Sequence, residues 1–254
     1  MSLDALIGGA AYAFLMIFVR VGAALLIMPG FGEQYISTRV RLLFALSIAI
    51  LLMPILMPAM PKAPASPMNL FLLVAAEAMI GIFLGSIARM LTAALDIAGF
   101  LIANQIGLSA AQAFNPALSA ASNPVSSVLG MLALLLIFAT DLHHMLLMAV
   151  VDSYSLFVPG QWLPIGDVAQ HLSRVMSDSF LIGMQLGAPF IVIGLLFYLG
   201  LGLIARLVPQ IQVFFVGTPI QIVLGLMLLG LSLTALMVYW LARFEGQLIN
   251  ILAL

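Results

Sequence analysis

Long apolar runs recur along the chain, separated by short polar or proline-containing stretches. We place seven runs at about 5–29, 42–60, 69–88, 90–108, 125–151, 179–205 and 213–242. A helix needs roughly 20 apolar residues to cross the hydrocarbon core of a bilayer, and every run is near or above that length. Arg89 alone separates the third run from the fourth, so 69–108 is either one long bent helix or a tight hairpin. The pattern predicts an all-α, polytopic membrane protein with six or seven spans.

Prolines and glycines concentrate in two regions of this pattern. The connector after the second run is rich in proline, at Pro54, Pro58, Pro61, Pro64 and Pro67. The last two runs and the connector between them contain Pro189, Pro209 and Pro219, together with Gly194, Gly200, Gly202, Gly225 and Gly230. Proline bends or stops a helix, and small residues let membrane helices approach closely. We therefore expect bent helices that pack tightly near the C-terminus.

Composition agrees with a membrane protein and excludes several other classes. Hydrophobic residues make up 65% of the chain, and the mean hydropathy is +1.27. Lys and Arg number 8 and Asp and Glu number 9, so no basic patch suggests nucleic acid. Cysteine is absent, which removes disulfides and thiolate chemistry. The N-terminus has no positive charge before its apolar run, so we expect a retained helix rather than a cleaved signal peptide.

The positions of Lys and Arg predict an orientation, because positive residues concentrate in cytoplasmic loops. With the N-terminus outside and seven crossings, the inner side receives Arg39, Arg41, Arg89, Arg174 and Arg243, and the outer side receives Lys62 and Arg206. This distribution favours an N-out, C-in protein.

The segment Gly107–Pro124, GLSAAQAFNPALSAASNP, differs from its surroundings. It has no charge and few large apolar residues, but many Ala, Ser and Asn residues. Irregular backbone at membrane depth is tolerated only where it is buried in protein or lines a water-filled space. Two interpretations stay open at this point: a short outer loop with a turn at Asn115-Pro116, or a re-entrant plug that closes a pore.

Four charged residues lie within or between the apolar runs rather than in polar loops: Arg20, Glu77, Arg89 and Asp96. A charge inside a membrane segment is costly and usually has a partner or a function. Glu77 is a candidate partner for Arg20. Glu77 and Asp96 could also serve a proton- or ion-coupled carrier. Because no carboxylate motif is repeated, we favour the interpretation that these charges join helices or subunits.

The histidine cluster gives little sign of a metal site or an enzyme. Adjacent residues on a helix point about 100° apart, so we expect that His143 and His144 cannot bind one ion together. Asp141 and His144 are spaced to share a hydrogen bond. Gly107-Leu-Ser109 loosely matches the serine motif of intramembrane proteases, but no histidine lies in the small-residue helix that this chemistry requires. We therefore predict no enzyme, no metal and no cofactor.

A series of short motifs runs in order along the chain. They are Arg20-Val-Gly-Ala-Ala-Leu, Met28-Pro-Gly-Phe-Gly-Glu33, Arg39-Val-Arg41, Glu77 and Gly81 in EAMIGIFLG, Asp96-Ile-Ala-Gly-Phe with Gln105-Ile-Gly-Leu-Ser109, His143-His144-Met-Leu-Leu, Leu156-Phe-Val-Pro-Gly160, Ala205-Arg-Leu-Val-Pro-Gln210, Val213-Phe and Val216-Gly-Thr-Pro219. In this order, over nearly the whole chain, they resemble the FliR and SctT family of flagellar-type, or type III, protein export. Asp141 departs from the resemblance, since the family pattern leads us to expect a small or amide residue there.

The resemblance implies a pore-forming, non-enzymatic subunit of a flagellar export gate in the bacterial inner membrane, at the basal body. It implies one integral membrane domain over 1–254, with a FliP-like part at 1–178 and a FliQ-like part at 179–254. The implied partners are FliP, FliQ and FlhB homologues in a helical hetero-oligomer, unfolded export substrates and membrane lipid. The family's plug loop corresponds to Gly107–Pro124 and favours the plug interpretation. Its candidate residues are Gly107, Leu108, Ser109, Phe114, Asn115, Pro116, Asn123 and Pro124.

Overall fold

The described residues of the computed structural model are 3–64, 66–109, 123–161, 164–208, 210 and 212–252. Within them the structure has no strand, only a 3-10 turn at Met57–Ala59 and seven α-helices. These are α1 (Leu3–Ile27), α2 (Thr38–Leu56), α3 (Pro67–Gln105), α4 (Pro124–Ala139), α5 (Leu142–Leu156), α6 (Ile165–Leu207) and α7 (Val213–Leu252). In these ranges, five helices are long and apolar enough to cross a membrane, and α4 with α5 gives a sixth if the bent pair is one span. The predicted all-α, polytopic fold is confirmed.

Helix α3 decides between the two interpretations of the region around Arg89. It runs unbroken for 39 residues from Pro67 to Gln105, so Arg89 lies inside a helix. Proline is favoured in the first turn of a helix, and arginine is a good helix former in the helix interior. The tight hairpin is therefore wrong, and so is the count of seven crossings that placed a turn at Arg89.

The fifth apolar run is broken in the middle. Helices α4 and α5 are bent by 75° across a short gap. Asp141 lies in this gap with φ 59° and ψ 13°, the left-handed conformation. Glycine adopts this conformation without penalty, and Asn tolerates it better than most residues. This backbone explains why the family pattern led us to expect a small or amide residue at this position.

The chain divides into two compact units. The first comprises Met1–Leu91, Ile137–Met176 and Gly246–Leu254, and the second comprises Thr92–Leu136 and Ser177–Glu245. In the first unit, α1 packs against α2 and α5. Its fully buried apolar side chains include Met16, Ile17, Leu25, Ile80 and Ile87. In the second unit, Trp240 and Phe244 are each 1% exposed, with ring centroids 5.1 Å apart.

Glycine permits the close contact between α3 and α1 in the first unit. A Cβ atom added at Gly85 would lie 2.8 Å from the carbonyl oxygen of Ala24 and 2.9 Å from Cβ of Ile27. Real Cβ atoms do not approach a backbone oxygen so closely, so a side chain at this position would push the helices apart. The two helices can meet at this distance because Gly85 has no side chain.

The five glycines named above for the last two apolar runs fall into two groups. An added Cβ would meet the side chain of Gln105 at Gly194, and Ile106 at Gly225. The others have nothing within 4 Å of that position, at Gly200, Gly202 and Gly230. The tight packing that we predicted here is therefore made within the second unit at two of the five glycines, and the other three border open space.

Candidate functional site: a buried charge cluster and the ends of the predicted plug

Arg20 and Glu77 form an ion pair in the interior of the first unit. Arg20 lies on α1 and Glu77 lies on α3, and their side chains are 0% and 1% exposed. The Nε of Arg20 donates a hydrogen bond to Oε2 of Glu77 at 2.5 Å. A single charge pair thus connects two strongly apolar helices.

The rest of the Arg20 guanidinium is also occupied. Its Nη1 donates to Oγ of Ser153 at 3.2 Å, and its Nη2 donates to the carbonyl oxygen of Phe157 at 3.0 Å. Its Cζ lies 3.9 Å from the ring centroid of Tyr154, in a cation–π contact. Ser153 and Tyr154 belong to α5, and Phe157 follows it directly. Arg20 therefore joins α1, α3 and α5, and it is paired and hydrogen-bonded as a buried charge must be.

Arg89 lies within α3 in a more exposed environment, and its side chain reaches the turn that follows α1. Its Nη1 is 2.6 Å from Oε1 of Glu33, and the two side chains are 51% and 18% exposed. Glu33 lies in the turn after α1, and its carbonyl oxygen accepts a hydrogen bond from Nη2 of Arg41 at 2.8 Å. The Nε of Arg41 donates to the carbonyl oxygen of Phe31 at 3.0 Å. Two arginines from α2 and α3 thus hold this turn, where Gly30 has a φ of 85°.

Asp96 lies in the second unit, with an exposed side chain. Its backbone carbonyl accepts a hydrogen bond from Oγ of Ser126 at 3.0 Å, which links α3 to α4. Of the four embedded charges, the structure brings Arg20 and Glu77 together in the interior. Arg89 and Asp96 are at the surface of the chain.

The N-terminal end of the predicted plug is anchored at the end of α3. Gly107 has a φ of 79°, and Leu108 and Ser109 are half-buried. The hydroxyl of Ser109 donates to Oδ1 of Asn104 at 2.5 Å. Gln221 of α7 is 5% exposed, and its Nε2 donates to the carbonyl oxygen of Gln105 at 2.6 Å. A buried amide therefore caps the helix from which this segment departs.

The C-terminal end of the predicted plug is anchored at the start of α4. Oδ1 of Asn123 accepts a hydrogen bond from the backbone N–H of Val125 at 3.0 Å, and Pro124 is the first residue of the helix. Asparagine commonly caps a helix, and proline suits its first position. The remaining candidates, Phe114, Asn115 and Pro116, lie outside the described residues.

The first unit also contains an apolar cavity of about 390 Å³ beside the buried charge cluster. Phe83 packs edge-on against Phe157 and His171, with ring centroids 5.9 and 6.1 Å apart. Asp167 and Arg174 contribute charged groups to its lining. A cavity of this size and lining can accept a small apolar group.

The structure corrects the expectation about the histidine pair. The imidazole centroids of His143 and His144 lie 4.1 Å apart. One ligand atom from each of Asp141, His143 and His144 falls within 4.8 Å of the others. The expectation that the two rings diverge is therefore wrong.

Sequence reasoning missed the partners that surround Arg20. Ser153 and Tyr154 follow the end of an apolar run, where polar residues are common. Their positions in the sequence therefore gave no sign of a contact with Arg20. Gln221 was also missed, although a lone amide in an apolar helix is a usable signal because it needs a hydrogen-bond partner.

Comparison with known proteins identifies the family. Residues 11–246 match the family described as bacterial export proteins, family 1. The flagellar biosynthetic protein FliR of Caulobacter vibrioides is 40% identical over 237 residues, covering 93% of this chain and 94% of the relative. FliR of Bacillus subtilis is 32% identical, covering 89% and 88%. The Yop proteins translocation protein T of Yersinia pestis is 27% identical, covering 85% and 84%. The chain therefore belongs to family 1 of the bacterial export proteins and is a membrane component of a flagellar or type III export apparatus.

Proposed function

We propose that the protein is a pore-forming, non-enzymatic subunit of the flagellar export gate. It would assemble with FliP, FliQ and FlhB homologues in the inner membrane at the basal body and pass unfolded flagellar proteins. The observation that carries this proposal is the match along 11–246, with 40% identity to a FliR protein. The lower identity of 27% to the Yersinia translocation protein favours flagellar use over virulence secretion.

The exposed surface of the second unit supports assembly with other subunits. Large apolar side chains are exposed along α6 and α7, among them Phe180, Leu195, Leu199, Leu203, Phe215, Val223, Met227 and Leu231. Gly200, Gly202 and Gly230 border open space, and small residues of this kind allow a neighbouring helix to approach closely. We assign this surface, in the FliQ-like part at 179–254, to contacts with sister subunits and lipid.

The embedded charges fit the same proposal as structural joints. Arg20 and Glu77 join helices within the chain, and their burial leaves the Glu77 carboxylate bound to Arg20. We propose that Arg89 and Asp96, which lie at the surface, make further pairs with neighbouring subunits. A charge facing a polar partner avoids the cost of facing lipid.

A proton- or ion-coupled carrier that uses Glu77 and Asp96 is the competing function. The substitutions Glu77→Gln and Asp96→Asn distinguish this carrier function from a structural role of the two carboxylates in joining helices or subunits. If these variants assemble but fail in solute uptake, the carrier is supported. If they lose assembly or stability without any uptake phenotype, the joint is supported.

The orientation N-out, C-in is retained in this proposal with five crossings. If α4 and α5 form a re-entrant pair, the remaining five helices place Arg39, Arg41, Arg174 and Arg243 inside, and Lys62 and Arg206 outside. This distribution still obeys the preference of positive residues for the cytoplasmic side.

The plug assignment is tested by deleting Ala110–Ser122 from the full chain. Both ends of the segment are anchored by hydrogen bonds in the second unit, so we expect the deletion to leave assembly intact. An uncharged, small-residue seal can move without breaking ion pairs, and its removal should make the membrane permeable to ions or small molecules. The control is a segment of the same length and composition in shuffled order. If the deleted gate assembles and leaks no more than the wild type, the plug assignment is wrong.

A further inference from the structure

We propose that Asp141, His143 and His144 form a binding site for a divalent transition-metal ion at the break between α4 and α5. The three side chains offer two imidazole nitrogens and one carboxylate oxygen. One ligand atom from each lies within 4.8 Å of the others. Nδ1 of His144 and Oδ1 of Asp141 are already 3.6 Å apart. The proposal is independent of the role of the protein in export.

A second contact orients one of the ligands. Nδ1 of His143 lies 3.4 Å from the carbonyl oxygen of Ile137, and this contact is a hydrogen bond in the tautomer that carries the proton on Nδ1, because a carbonyl can only accept. The unprotonated Nε2 is then left to bind a metal. Metal-binding histidines usually donate their other ring nitrogen to an oxygen in this way. Phe138 supports the same ring, with centroids 5.0 Å apart.

The ligand separations, which reach up to 4.8 Å, must shorten when an ion binds. Ligand atoms about 2.1 Å from a tetrahedral ion are about 3.4 Å from one another. His144 and Asp141 are exposed, with side-chain exposures of 66% and 78%, so small torsional changes can close the difference. Two imidazoles with one carboxylate suit late first-row ions such as Zn²⁺ or Co²⁺ better than Mg²⁺ or Ca²⁺.

The position of the site suggests what a bound ion would do. Asp141 lies in the left-handed gap, while both histidines belong to the first turn of α5. An ion held by all three would fix the first turn of α5 against the left-handed residue that precedes it. Asp141 replaces the small or amide residue expected from the family pattern, so the third ligand would be a feature of this chain. Three protein ligands leave positions open for water or for another subunit.

The test uses the full chain, purified in detergent with an affinity tag that contains no histidine. Zn²⁺ binding is measured by calorimetry, and Co²⁺ binding by its visible absorption. The wild type should bind one equivalent. His144→Ala, His143→Ala and Asp141→Asn should each weaken the affinity by about 10-fold or more. Asn keeps the left-handed backbone at 141 accessible, so this variant changes the ligand with little change in fold.

His171→Ala is the matched control, because His171 is the one other histidine of the chain and stands outside the cluster. Its affinity for Zn²⁺ should equal that of the wild type. Circular dichroism without metal should show the same helical content in all variants. If His143→Ala has a lower helical content, the test rests on the variants at the two exposed ligands, Asp141 and His144. The proposal is overturned if the wild type shows no saturable binding, or if it binds Zn²⁺ no more tightly than His144→Ala and Asp141→Asn.

Discussion

The buried pair Arg20–Glu77 makes the strongest quantitative prediction. Glu77→Leu removes the carboxylate but leaves a guanidinium that is 0% exposed without its counter-charge. Breaking a buried pair on one side typically costs about 3–5 kcal/mol. Arg20→Met should cost a similar amount, because it leaves the carboxylate unpaired and also removes the donor to the carbonyl oxygen of Phe157.

The double variant Arg20→Met with Glu77→Leu should be less destabilised than either single variant. Replacing both charges by apolar residues of similar size is often neutral or even stabilising. The carbonyl oxygen of Phe157 still loses its donor, which costs about 1–3 kcal/mol. Ser153 loses less, because its hydroxyl already donates to the carbonyl oxygen of Val150 at 2.6 Å. We therefore expect the double variant to recover about 2 kcal/mol relative to the single variants.

The free energy of unfolding is measured on the full chain in mixed micelles by circular dichroism during a titration with sodium dodecyl sulfate. The exposed pair Arg89–Glu33 is the matched control. Glu33→Leu breaks an ion pair whose side chains are 51% and 18% exposed, so it should cost no more than about 1 kcal/mol. If the two single effects at the buried pair simply add in the double variant, the pair contributes no coupling, and our account of Arg20 as a joint is refuted.

Two further predictions concern packing and topology. Gly85→Ala should destabilise the chain by about 1–3 kcal/mol, because its Cβ would meet the carbonyl oxygen of Ala24 at 2.8 Å. Gly200→Ala borders open space and should be neutral or slightly stabilising; equal melting shifts in the two variants would contradict this difference. The chain has no cysteine, so single cysteines report topology without background. Lys62→Cys should react with a membrane-impermeant maleimide from outside and Arg174→Cys only after lysis, whereas external labelling of both would make α4 and α5 a full span.

Much of the fold could be predicted from the sequence because length and hydropathy are local properties. The helix boundaries were less predictable where they depended on a single residue. Arg89 interrupts an apolar run in the sequence, but it does not end helix α3, because its side chain can pair with Glu33 at the surface. The opposite error arose at Asp141, where an apolar run contains a break that depends on one left-handed residue.

The partners within the site were harder to predict than its charged members. Arg20 and Glu77 stand out in the sequence because charges are rare in apolar runs. Ser153, Tyr154 and Phe157 do not, since their contacts with Arg20 depend on how α5 packs against α1. The histidine pair shows the same limit, because helix geometry fixes the direction of Cβ but leaves the side-chain torsions free.

The central claim is that this chain acts as a subunit of an export gate, and co-purification tests it most directly. The tagged chain is expressed with the FliP and FliQ homologues of the same bacterium, extracted in mild detergent and weighed by native mass spectrometry. We predict a hetero-oligomer that contains all three proteins. Recovery of this chain as a stable, folded monomer, with the homologues present in the same membranes but absent from the purified material, would contradict the claim.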